Sequence, residues 1–271
     1  MFSRRFMQVA VLVFVTITLA LSAQAVVFSN ASLKGSYSFL LNRWTVQYNQ
    51  DAVVGVMAFD GAGNVAASFT YIDGGVVQTG TDSGTYTVNS NGTGAINFTN
   101  FSGTGASPHF AITLNSTAAG LAHGLQLVQT NNTANYVQSG TALLQCTTAA
   151  TYSVASLKGN FSWQGNLWTA NVNQAQSGGI GTFSFDGKGH VKGVWTRMDG
   201  GVLHTGTFTG TYTVNSDGSG SITVTFSPGP VTQAAFVLNN KPPLGTAAKG
   251  LQFLQTNLEG NIVISATALK Q

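Results

Sequence analysis

Eight carboxylates, four histidines and one cysteine are what this 271-residue chain offers for acid–base, metal or nucleophilic chemistry. Two aspartates recur in matching contexts: Asp60 and Asp186 in FDG-x-G, and Asp73 and Asp199 in DGG. Paired carboxylates can exchange protons with a substrate. Each of these four is followed by glycine, however, and Asp-Gly is turn chemistry. The carboxylate accepts bonds from backbone a few residues on, and glycine supplies the positive φ. One such turn also lacks the dense oxygen ligands of a calcium loop.

His109, His123, His190 and His204 face Ala235, Lys249, Asn64 and Gln78 at the matching places of an internal repeat, and no H-x-x-x-H or H-x-H spacing occurs. A zinc site is not expected from such a set, nor any cofactor. Serine and threonine are abundant, but no G-x-S-x-G elbow appears. Cys146 is the sole cysteine, so no disulfide can form within the chain. Four other residues are more suggestive. Trp44 and Trp168 repeat inside N-x-WT segments, and Gln129 and Gln255 share the strand parity of apolar neighbours. If that parity faces an interior, each Gln is a polar group among apolar neighbours there, and the four together are the candidate interior lining. They are then either packed core with satisfied amides or the polar and aromatic lining of an apolar ligand pocket.

These residues are placed by a duplication. ASLKG occurs at 31–35 and 155–159, FDG-x-G-x-V at 59–65 and 185–191, GTYTVN at 84–89 and 210–215, and GLQ at 124–126 and 250–252. The offset is 124 early and 126 later, so the second copy holds two extra residues between Asn173 and Phe185. Two copies of one domain follow, 31–145 and 155–271, joined by 146–154. Each is long enough for its own core.

Alternation with period two runs through both copies, as in Tyr37, Phe39 and Leu41 or Tyr86 and Val88. That is the pattern of strands with one buried face. Asn91-Gly92 and Asp217-Gly218 are strong hairpin signals. About eight short strands per copy, with brief connections, predict an all-β chain of two tandem antiparallel meander barrels. β-sandwiches are the alternative. A single sixteen-stranded outer-membrane barrel is a third, but its strands need about 9–11 residues and an apolar outer band, whereas here Thr, Ser and Asn fill the second face.

The ordered motifs LKG followed by Tyr37-Ser38 or Phe161-Ser162, FDG-x-G, DGG, GTYTVN-S-(N/D)-G-(T/S)-G and GLQ resemble uncharacterised bacterial secreted proteins with calycin-like barrels. These are similar in outline to the allene oxide cyclase barrel family. The resemblance covers most of each copy and implies an eight-stranded barrel with an apolar cavity. No cyclase residue can be matched position by position.

The first residues, MFSRRFMQVAVLVFVTITLALSAQA, order a basic start, an apolar run and Ala23-Gln24-Ala25. That predicts a signal peptide at 1–25 and a secreted or periplasmic chain, not embedded in a membrane after cleavage. Loss of Arg4 and Arg5 takes the formal net charge from +3 to +1, and only 7% of residues are charged. No electrostatic footprint for nucleic acid remains. The expected function is a secreted, non-enzymatic barrel protein that binds a small apolar ligand or acts at the cell surface. An isomerase or cyclase working by cavity shape is the alternative.

Overall fold

The computed structural model describes residues 27–45, 50–73, 76–100, 107–115, 117–118, 120–131, 136–146, 151–169, 176–199, 201–239, 248–257 and 262–271. The predicted leader, 1–25, lies outside them.

Barrel 1 contains β1 (Lys34–Thr45), β2 (Gln50–Asp60), β3 (Asn64–Asp73), β4 (Val76–Val88), β5 (Thr93–Phe98), β6 (His109–Leu114), β9 (Gly124–Gln129) and β10 (Tyr136–Cys146). A small ladder of β7 (Thr117–Ala118) and β8 (Leu121–Ala122) lies between β6 and β9. Barrel 2 contains β11 (Lys158–Thr169), β12 (Gln176–Asp186), β13 (His190–Asp199), β14 (Val202–Val214), β15 (Ser219–Ser227), β16 (Val231–Asn239), β17 (Gly250–Gln255) and β18 (Ile262–Lys270). Each set forms a closed, eight-stranded antiparallel meander, sealed by β1 on β10 and by β11 on β18. Neither a sandwich nor one sixteen-stranded barrel forms. Among the described residues no helix is long and apolar enough to cross a membrane. Cys146 ends β10 and a short 3-10 turn, Val154–Ser156, precedes β11, so regular structure takes both ends of the segment 146–154.

The alternating residues build the cores as the period requires. Tyr37, Phe39, Phe59, Tyr86, Ile96 and Phe110 are buried in barrel 1. Phe161, Phe183, Phe185, Tyr212, Ile222 and Phe236 are buried in barrel 2. Each such side chain contributes roughly 1.5–3 kcal/mol when fully buried.

Each barrel is plugged at one end by the motifs that repeat best. A 3-10 turn precedes the first strand, at Asn30–Ser32 and at Val154–Ser156. The Tyr86 hydroxyl donates to the carbonyls of Leu33 and Asn30 at 2.8 and 3.0 Å, and Tyr212 donates to Leu157 and Val154 at 2.8 and 3.2 Å. ASLKG and GTYTVN thus recur together because they meet in space. The hairpin after GTYTVN turns at Gly92 or Gly218, with φ of 84° and 86°. Asn91 Oδ1 accepts from the Thr93 amide and Asp217 Oδ1 from the Ser219 amide, so either residue type closes the turn.

The barrels pack side by side. Leu40, Val54, Val56 and Ile72 from barrel 1 meet Val237, Leu254 and Val263 from barrel 2 in a buried apolar seam. Ser265 donates to Asn42 at 2.8 Å, and Gln145 donates to the Leu238 carbonyl at 2.7 Å. The seam uses the outward parity of its strands, where contact with the other barrel buries these apolar residues.

Candidate functional site

The end of each barrel opposite its plug is where the two copies diverge. In barrel 1, Arg43 and Asp51 are directly opposite on β1 and β2. Both are almost fully buried, and their ion pair is 2.8 Å long. Arg43 also donates to the Ile72 carbonyl at 3.0 Å and lies 4.7 Å from the Tyr136 ring centre. Asp82 shares this interior with Arg43 and Gln138. Its Oδ1 accepts from the Ser83 and Asn100 amides at 2.8 and 3.0 Å, while burial, the dominant influence, pushes its carboxyl above the usual range. The remaining cavity is only about 40 Å³. That is room for a few waters, far below the roughly 300–1,000 Å³ of ligand pockets.

Barrel 2 replaces these groups one by one. Leu167 stands for Arg43, Ser177 for Asp51, Phe208 for Asp82 and Ile264 for Gln138. Without the sealing pair the mouth opens into a pocket of about 300 Å³. Trp163, Leu167, Trp195, Phe226 and Ile264 give it apolar walls. Gly179 and Gly181 make room for the first indole, since a Cβ at either would fall within 3.1 or 2.5 Å of it.

Four polar side chains reach the same mouth: Arg197, His204, Thr232 and Gln255. Arg197 and His204 are cross-strand partners on β13 and β14. Arg197 is held by Asp199 at 3.2 Å and lies 6.0 Å from the Trp195 ring centre. Gln255 donates to the Asn257 carbonyl at 2.5 Å. Arg197 Nε, Trp195 Nε1 and Gln255 Oε1 are buried and have no hydrogen-bond partner among the described residues. Unmatched buried groups cost about 1–3 kcal/mol each.

Of the four residues expected to line an interior, Gln255 lines this mouth. Gln129 points inward in barrel 1, donates to the Asn131 carbonyl at 2.6 Å, and is not among the side chains bounding the cavity. Trp44 is corrected outright: it is 43% exposed on the outer face. Strand alternation gives the inward place to its neighbour Arg43. The Trp168 side chain lies outside the described residues. The sequence reading missed Trp163, Trp195 and Arg197. Their signal was inward parity combined with divergence, as Arg197 stands where copy one has Tyr71.

The repeated aspartates divide. Asp60 Oδ1 accepts from the amides of Ala62, Gly63 and Asn64, and Asp186 does the same for Lys188 and His190. Those backbone bonds hold both carboxyls down to about 2. Asp199 orients Arg197, and the Asp73 side chain is outside the described residues. Among the described residues no three His, Cys, Asp or Glu side chains cluster as metal ligands would.

No protein-family model matches this chain, and no curated protein matches its sequence. Among solved structures, it is similar to a DUF3598-family protein of unknown function from Nostoc punctiforme PCC 73102. Identity is 10%, 89% of this chain and 98% of that chain are covered, and the TM-score is 0.27. An overlay at that score carries no inference about this chain.

Proposed function

We propose that the chain is a secreted, non-enzymatic barrel protein that binds a small, largely apolar molecule in the mouth of barrel 2. The observation that carries this reading is the pocket of about 300 Å³, with indole and aliphatic walls and the polar residues Arg197, His204, Thr232 and Gln255 in its lining. Apolar walls with a few polar residues suit a ligand with an apolar body and one polar end. Barrel 1, sealed by Arg43 and Asp51, is its scaffold partner. The predicted leader supports the extracytoplasmic address.

The test is a titration followed by tryptophan fluorescence, because Trp163 and Trp195 form the walls. Octanoate and 1-octanol are suitable first probes, alongside native mass spectrometry of protein from its source. Saturable quenching that is lost in Trp195→Ala supports the reading. No quenching by either probe and no retained small molecule would overturn it.

A cyclase or isomerase reading is favoured by one observation: Arg197, His204 and Gln255 converge on the same apolar mouth. Turnover of a lipid-derived epoxide, abolished by Arg197→Gln, would establish it over simple binding.

A further inference from the structure

Beside the apolar seam the two barrels leave a cleft of about 750 Å³. Leu40, Asn42 and Thr141 line it from barrel 1, and the outward faces of β11, β12, β13 and β18 line it from barrel 2. It is distinct from the mouth of barrel 2, although Trp163 and Trp195 border both.

The lining selects among ligand classes. None of its described side chains is ionisable. A nucleic acid draws most of its affinity from phosphate neutralisation, and a charged peptide relies on complementary potential. Neither finds a counter-charge here. Both barrels are closed, so among the described residues no unpaired strand edge faces the cleft, and an extended peptide has no edge there on which to add a strand.

The groups that remain are side-chain hydroxyls and amides. Ser162, Gln164 and Asn166 are exposed at alternate positions along β11, spaced roughly 7 Å apart by the strand rise. Each offers both a donor and an acceptor. Interleaved with this polar row are Ile180, Val194 and Leu269, exposed by 58%, 51% and 56%. A ligand that suits both must be uncharged, rich in groups that donate and accept, and apolar on its ring faces. We propose that this cleft binds a neutral oligosaccharide, with Gln164 and Asn166 bonding its hydroxyls and Ile180, Val194 and Leu269 packing against its C–H faces.

The probes are cellohexaose, maltohexaose, chitohexaose and mannohexaose, with hexagalacturonate as the charged control. Binding is read by ligand-observed NMR and calorimetry on the intact protein. At least one neutral hexamer is expected to bind with a Kd near or below ~1 mM, about −4 kcal/mol. The exposed double variant Gln164→Ala/Asn166→Ala should weaken it at least ~10-fold, the loss of one to two good hydrogen bonds. Arg197→Gln, in the neighbouring mouth, should leave it unchanged. Circular dichroism checks that the double variant folds. If no neutral hexamer binds, if hexagalacturonate binds as well, or if the double variant binds normally, the proposal fails. It also fails if sedimentation shows a dimer that Ile180→Lys dissociates, because a second copy then covers the cleft.

Discussion

The hydroxyl of Tyr86 donates to the carbonyl of Leu33, 53 residues earlier in the chain, at 2.8 Å. Tyr212 makes the same bond to Leu157 at the same distance in the second barrel. Each bond ties the 3-10 plug to the middle of the meander. Its ring also packs edge-on against Phe59 or Phe185, at 5.0 and 5.1 Å between centres. Tyr86→Phe keeps the ring contact and removes only the bond, so a loss of ~1 kcal/mol is expected. Tyr212→Phe should cost the same. The sites are in different barrels, so the double variant should show the sum in urea unfolding.

The Arg43–Asp51 pair gives a sharper test, because barrel 2 shows what replaces it. Removing one partner of a buried pair strands a charge, and Asp51→Ser alone should cost ~3–5 kcal/mol. Arg43→Leu/Asp51→Ser copies the pair Leu167 and Ser177, and should recover most of that loss. A double-mutant cycle from denaturant midpoints measures the coupling. If the double variant were no more stable than Asp51→Ser, the cost would not come from the stranded charge.

Stability against pH should show two opposing carboxylate effects. Asp60 and Asp186 are held down to about 2 from 3.8 by backbone amides. Their stabilisation is present above 3.8 and is lost as pH falls toward 2. Asp82 is pushed up by burial. Its folded form takes a proton before the unfolded chain does, so it destabilises at neutral pH and that penalty fades as pH falls through its raised value. Asp82→Asn should therefore stabilise the protein at pH 7 and gain less on acidification. Asp60→Asn should flatten the acid limb between pH 4 and 2. Thermal melts across pH 2–7 read both.

How legible this was depends on what each face of a strand had to do. Tyr86, Phe59 and Phe110 announced an inner face because burial imposes period two, and Asn91-Gly92 announced a hairpin because few residues accept positive φ. The antiparallel meander followed from those signals, with barrel and sandwich both open, and closure came from β1 on β10 and β11 on β18. The seam did not, because Leu40, Val54 and Val56 sit on the outer parity, and contact with the other barrel makes them apolar without changing the local pattern. Trp44 misled for a related reason. Its repetition in N-x-WT marks a strand position, and one step of register decides between cavity and solvent. Arg43 and Asp82 were hidden because a charge at an inward position reads as a break in the alternation. Only the cross-strand partner, Asp51 for Arg43, explains it.

The divergence of the two mouths predicts its own reversal. Leu167 and Ser177 are Cα partners on β11 and β12, as Arg43 and Asp51 are on β1 and β2. Leu167→Arg/Ser177→Asp should rebuild the sealing pair inside barrel 2, filling the mouth from β11 and β12. Leu167→Arg alone buries a charge beside Arg197 and should cost several kcal/mol, as unpaired buried charges do. Adding Ser177→Asp supplies the partner and should restore the fold. The expected result is a folded double variant in which octanoate and 1-octanol no longer quench Trp163 and Trp195. A folded double variant that still binds either probe would place the ligand outside this mouth, since the grafted guanidinium would occupy the space the apolar body needs.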